Sequence, residues 1–123
     1  MVKYFFDSYA IIELVKGNPL YAKYGDQLVL ITQFNLAEIY WSFLNDFDDR
    51  KAKELYSYFK DCVVPVEDAV LQDAIQFRKE NKKRKLSYAD CIGYSYALHH
   101  NLLFLTGDKE FEKLPHVEFQ RKD

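Results

Sequence analysis

Short unbroken apolar runs alternate along this chain with longer stretches whose apolar positions recur at helical spacing. Val2 to Phe6 is aromatic-rich and β-branched at one end, which predicts a buried first strand. Ser8 is a candidate cap for the following helix, Ile11, Ile12, Leu14 and Val15 form its apolar side, and Gly17-Asn18-Pro19 stops it. Leu28 to Thr32 runs apolar more than it alternates, as a central parallel strand does. A second helix is predicted from near Asn35 through Ile39, Tyr40, Phe43, Leu44 and Phe47. Asp48-Asp49 breaks it, and a third helix carries Leu55, Tyr56 and Phe59. Cys62-Val63-Val64-Pro65 reads as a short strand placed near an edge by its proline. Asp68 to about Asn81 is an amphipathic helix. The next helix is predicted from Ser87 to about Asn101, and its Ala89, Gly93 and Ala97 at i, i+4 and i+8 would let it approach a sheet closely. Leu102 to Thr106 is a strand, Asp108 to Glu112 a turn of helix, and Val117 to Phe119 a last edge strand.

Strands alternating with helices predict an α/β fold with right-handed crossovers, in one domain spanning residues 1–123. The 49% hydrophobic content, with ten Tyr and ten Phe, supplies a real core and argues against disorder. No apolar run approaches the roughly 20 residues of a membrane-spanning helix, and no signal-peptide pattern opens the chain. A cytoplasmic location without membrane attachment is the expectation. Cys62 and Cys91 are too few and dispersed for a disulfide framework, which suits buried thiols in a reducing compartment. A net charge of −2 excludes a basic nucleic-acid coater. One basic run, Arg78 to Lys85, reads as a solvated helix end, and phosphate contact becomes the better reading only if an active site lies beside it.

Four acids hold the candidate chemistry: Asp7, Glu38, Asp90 and Asp108. Asp7 closes the first apolar strand, Asp108 follows the strand ending Leu105-Thr106-Gly107, and Glu38 and Asp90 fall in the first turns of two helices. In an open parallel sheet, strand ends and the starts of following helices share the edge where ligands bind. Carboxylates gathered there, with no Cys/His set, suit oxygen-seeking Mg²⁺ or Mn²⁺ and metal-assisted hydrolysis. Each acid also has a bland explanation. Asn35-x-x-Glu38 and Ser87-x-x-Asp90 both have the form of capping boxes, and Asp7 and Asp108 could be a helix-start acid and a turn residue. Asp7 tips the balance, because an ionised carboxylate at the end of an apolar strand is costly unless paired or metal-bound, and the adjoining turn offers no basic residue.

Phe5-Phe6-Asp7-Ser8, Leu36-Ala37-Glu38-Ile39, Leu86-Ser87-Tyr88-Ala89-Asp90-Cys91 and Leu105-Thr106-Gly107-Asp108-Lys109-Glu110-Phe111 together resemble the motifs of PIN-domain nucleases, most closely the small VapC-type toxins of prokaryotic toxin–antitoxin pairs. Order, spacing and apolar flanks match over essentially the whole chain. The resemblance implies a central parallel sheet in strand order 3-2-1-4-5 flanked by helices. It implies Asp7, Glu38, Asp90 and Asp108 around Mg²⁺ or Mn²⁺, supported by Thr106 and Ser8. It further implies an endoribonuclease, an RNA substrate, a cognate antitoxin and a homodimer. The surroundings of Asn35 and Tyr40-Trp41 are less typical of the family.

Rival readings fit less well. A phosphate-accepting receiver domain wants an acidic pair after an early strand and an acceptor Asp after a later one, and Val63-Val64-Pro65-Val66 has none. An aspartyl phosphatase needs a second Asp two residues after the first, where Tyr9 stands. A PIN nuclease of RNA maturation or decay is the nearest alternative, and a non-catalytic RNA-binding module sits poorly with a complete acid set. His99-His100 read as helix-end residues and Cys91 as a buried apolar position. The aromatics from Tyr40 to Phe59 exceed what two short helices bury on one face, so part of them is a candidate groove for a partner helix or a dimer surface.

Overall fold

A computed structural model describes residues 2–123. Three regular strands, β1 (Tyr4–Phe6), β2 (Leu103–Thr106) and β3 (Val117–Phe119), form a parallel sheet in the order β1-β2-β3. Five α-helices surround it: α1 (Ser8–Val15), α2 (Gln33–Asp46), α3 (Asp49–Lys60), α4 (Asp68–Glu80) and α5 (Tyr88–His99). Short 3₁₀ turns occupy Pro19–Tyr24, Lys82–Arg84 and Lys109–Phe111. The α/β class and the parallel sheet flanked by helices follow the sequence expectation.

Leu28 to Thr32 and Cys62 to Pro65 depart from it, since neither forms a regular strand. The Phe6 amide donates to Leu30 O at 3.0 Å, and Ile31 bridges Val63 through Ile31 N to Cys62 O (3.1 Å) and Val64 N to Ile31 O (2.8 Å). Leu28 to Thr32 thus lies beside β1 through a single hydrogen bond, and Cys62 to Pro65 lies beside Ile31 through one parallel bridge. The cause is local. Thr32 must turn to cap α2, and Leu28 is 67% exposed, so only the middle of the segment can pair.

Helix starts also shift. α2 begins at Gln33, because Thr32 is its cap, and the capping box is Thr32 with Asn35 rather than Asn35 with Glu38. Ser8 is the first helical residue of α1 and not its cap; Asp7 holds that position in extended backbone. The Ser87–Asp90 box forms as expected.

The side-chain alternation of the strands creates two cores. Phe5 and Phe104 face one side, packed with Val70 and Ala74 of α4 and Ile92 and Ala97 of α5. Phe6 and Leu105 face the other, with Ile11 of α1, Ile39 and Phe43 of α2 and Phe59 of α3. α5 lies so close to the sheet that a Cβ on Gly93 would stand 2.6 Å from Phe5 Cε1. His99 and His100 bridge α5 to Asp73 and Glu67, each at 2.7 Å, which is a structural role. Among the described residues, no helix is long and apolar enough to cross a membrane.

Candidate active site

The four acids reach one cleft from four different elements. Asp7 comes from the end of β1, Glu38 from α2, Asp90 from α5 and Asp108 from the turn after β2; all line a cleft of about 910 Å³ together with Ser8, Trp41 and Lys85. This is the edge where strand ends meet helix starts, the expected position in an open parallel sheet.

Asp7 occupies the α1 cap position, yet its side chain makes no cap hydrogen bond. Its Oδ2 instead accepts from Thr106 Oγ1 at 2.6 Å, while Oδ1 is buried without a hydrogen-bond partner. The helix-start explanation therefore fails for this residue. Thr106, fully buried at the end of β2, also accepts from the Asp108 amide at 3.0 Å. One hydroxyl thus fixes both the Asp7 carboxylate and the backbone that presents Asp108. Asp108 Oδ1 accepts from the Glu110 amide at 2.9 Å, so the turn reading holds for that oxygen.

Glu38 is held differently. Its Oε1 accepts from Ser8 Oγ at 2.7 Å, and Ser8 Oγ accepts from Asn35 Nδ2 at 3.0 Å. Asn35 Oδ1 in turn accepts from Thr32 N at 2.9 Å and Thr32 Oγ1 at 2.8 Å. Sequence reasoning took Asn35 for a helix cap and missed this link. The available signal was Thr32-x-x-Asn35, a polar pair that ends an apolar run and must satisfy itself when buried. Asp90 caps α5 through Oδ2, which accepts from the Ser87 amide at 2.9 Å, and it remains part-exposed to the cleft. Capping and cleft membership therefore coexist in this residue.

Burial, followed by the nearby charge of Asp90, holds the Asp7 carboxyl well above the usual carboxylate range; Glu38 and Asp108 add to the rise and the Thr106 hydrogen bond opposes it. Burial likewise raises Asp90, against the lowering effect of its bond from Ser87, with Glu38 and Asp108 adding to the rise. Among the described residues, none of the four acids forms an ion pair with a basic side chain. Lys85 and Lys109 nevertheless line the same cleft, which moves the end of the basic run from a solvated helix end to the rim of the site.

A buried carboxylate oxygen without a partner, in a field of three other acids, fits a hard divalent cation. No three His, Cys, Asp or Glu side chains among the described residues are already gathered as a metal-holding group. Ligation would thus need side-chain rotation or bridging water, as Mg²⁺, which keeps several of its waters, commonly allows.

Solved structures of similar fold include a chain of a toxin–antitoxin complex from Klebsiella pneumoniae, with a TM-score of 0.74 and 19% identity over 94% of this chain and 96% of that one. VapBC2 from Rickettsia felis, bound to a promoter DNA fragment, gives 0.72 and 16% over the whole of both chains. VapBC-1 from nontypeable Haemophilus influenzae gives 0.70 and 17% over 98% of each. At such identities the likeness concerns the fold. No curated protein sequence matches this chain. The family profile of the PIN domain matches residues 4–117, which include all four acids and both supporting hydroxyls, and the chain belongs to the PIN-domain family.

Proposed function

We propose that the protein is a Mg²⁺- or Mn²⁺-dependent endoribonuclease and the toxin of a type II toxin–antitoxin pair. The observation that supports the hydrolase reading most strongly is Asp7: a buried carboxylate with one oxygen unpartnered, facing acids and no paired cation. Asp7 and Asp90 are the residues that would hold the ion, with Asp108 and Glu38 joining directly or through water. A divalent ion bound there supplies charge neutralisation for the phosphate oxygens and a lowered pKa for water. Glu38, held by Ser8 and Asn35, would orient a water for in-line attack where it does not ligate the ion. Thr106 keeps the Asp7 carboxylate in one orientation. Water as the nucleophile leaves a 5′-phosphate and a 3′-hydroxyl and makes no use of the substrate's 2′-hydroxyl. Purified protein incubated with a panel of structured RNAs is expected to cut them with Mn²⁺ or Mg²⁺ and not in EDTA. Cleavage that survives EDTA, or ends that carry a 2′,3′-cyclic phosphate, would overturn the reading.

The toxin reading draws support from a second cavity. Leu36, Ala37, Tyr40, Trp41, Leu44 and Tyr56 line an apolar groove of about 660 Å³ between α2 and α3. Such a groove suits the apolar face of an antitoxin helix. Phe47 has no place in it; it is half-buried and packs on Phe43, with ring centroids 6.1 Å apart. The homodimer belongs to the same proposal, and the mass of the protein in solution tests it.

A further inference from the structure

Trp41 is 70% exposed, an unusual position for the chain's single tryptophan. It stands one helical turn beyond Glu38 on α2, and both residues line the acidic cleft. Lys85 lines that cleft from the connection between α4 and α5. Its backbone is left-handed, with φ 56° and ψ 45°, a conformation that favours glycine over lysine. The connection is held by Arg84, whose Nε donates to Asn81 Oδ1 at 2.9 Å and whose guanidinium donates to Glu110 O at 2.6 Å. That bond ties the Lys82–Arg84 turn to the Lys109–Phe111 turn, so the two cleft lysines, Lys85 and Lys109, sit on one braced rim.

Given the ribonuclease reading, on which this inference rests, we propose that Trp41 and Lys85 form a clamp for single-stranded RNA: the indole stacks on an unpaired base beside the scissile phosphate, and the ammonium holds a neighbouring phosphate. An exposed ring stacks on any base, while a point charge recognises only the backbone. The combination selects for a base free to leave its helix and against a paired one. It also explains why a strained lysine stands where glycine would relax the backbone, since glycine would remove the charge.

Because position 41 is the only tryptophan, its fluorescence reports this contact alone. The Asp7→Asn protein, and wild type in EDTA as a second non-cleaving sample, would be titrated with a short single-stranded oligoribonucleotide, with its blunt duplex, and with a base-free (abasic throughout) strand of the same length. Quenching by the single strand is expected, with little from the other two. In cleavage assays with Mn²⁺, Trp41→Ala should raise KM for single-stranded RNA by roughly 5- to 150-fold with kcat little changed, and Trp41→Phe should recover part of the loss. Lys85→Gly, which relaxes the backbone but removes the charge, should raise KM and lower the salt dependence of binding by about one counterion. If wild type cuts RNA while fluorescence is unmoved and Trp41→Ala keeps the wild-type KM, the clamp is overturned and the nuclease stands. Equal quenching by duplex would also overturn it. If no RNA is cut with Mn²⁺ or Mg²⁺, the ribonuclease reading itself falls.

Discussion

Asp7 has lost the solvation that an ionised carboxylate needs and has gained a single hydrogen bond, from Thr106, in return. Its pKa, like that of Asp90, is raised, so the metal-free folded state holds protons more tightly than the unfolded chain. The stability this brings is fully present below the unfolded carboxyl pKa, about 4, and is lost as pH climbs through the raised values of the folded pair. Asp7→Asn removes that loss. Its melting temperature in EDTA is therefore expected to exceed that of wild type at neutral pH, with the gap closing toward pH 4. Mn²⁺ should raise Tm for wild type and much less for the variant, while activity falls at least about a hundredfold. Thermal melts at several pH values, with and without Mn²⁺, check the first two parts; an unfolded variant, or a gap independent of pH, would count against the assignment. At subsaturating Mg²⁺, activity should rise from acid toward neutral pH, because protons compete with the ion. At this scale the place of Asp7 and Asp108 in the cleft was legible in the sequence, since a carboxylate that follows an apolar strand is conspicuous in any alternating pattern. Asn35 was not. Its amide joins Thr32 to Ser8, a partner 27 positions away, and spacing along a chain says nothing about such a pairing.

α5 brings Asp90 to the cleft, and its distance from the sheet is set by Gly93. Gly93→Ala has two opposed effects: the helix gains about 1 kcal/mol of propensity, while the new methyl collides with Phe5 and Phe104. A contact at 2.6 Å against one ring and 3.2 Å against the other cannot be relieved by a flexible side-chain tip, because both rings are buried in the core. Overpacking of this kind costs about 1–3 kcal/mol, so a net loss of stability is expected in urea denaturation; equal or higher stability would mean that α5 sits further from the sheet. The small-residue spacing of this helix predicts the close approach from sequence alone, because it is a property of one element. The failure at Leu28 to Thr32 has the opposite origin. Apolar content there reported burial correctly for Ile31, but the need of Thr32 and Asn35 to start α2 took residues from the strand. Two neighbouring elements competed for the same backbone, and a window centred on either one cannot see the contest.

On the scale of the molecule, α2 serves the acidic cleft with Glu38 and the apolar groove with Leu44, and Trp41 belongs to both. An antitoxin helix in the groove would then compete with RNA for one indole. The product of an adjacent antitoxin gene, co-expressed with this chain, is expected to form a complex weakened by about 2 kcal/mol in both Trp41→Ala and Leu44→Asp. Of the two, only Trp41→Ala should also raise KM for RNA. Titration calorimetry and cleavage assays separate these effects, and a complex indifferent to both substitutions would place the partner elsewhere. The exposure of Trp41 against the burial of Phe43 and Phe59 was beyond the sequence, for it depends on how α3 lies across α2.

The hydroxyl of Thr106 and the carboxylate of Asp7 meet across 99 positions of chain. β1 pairs directly with β2, and the segments that lie between them in the chain pack on both faces of the sheet. Synthesis proceeds from the N-terminus, so Asp7 leaves the ribosome well before β2 and waits for it to be made. Until then Asp7 has no Thr106 hydroxyl to accept from, and the cleft is not formed. On the proposed ribonuclease reading, the messenger RNA and the ribosome that make the chain are therefore not exposed to its activity until β2 has been made.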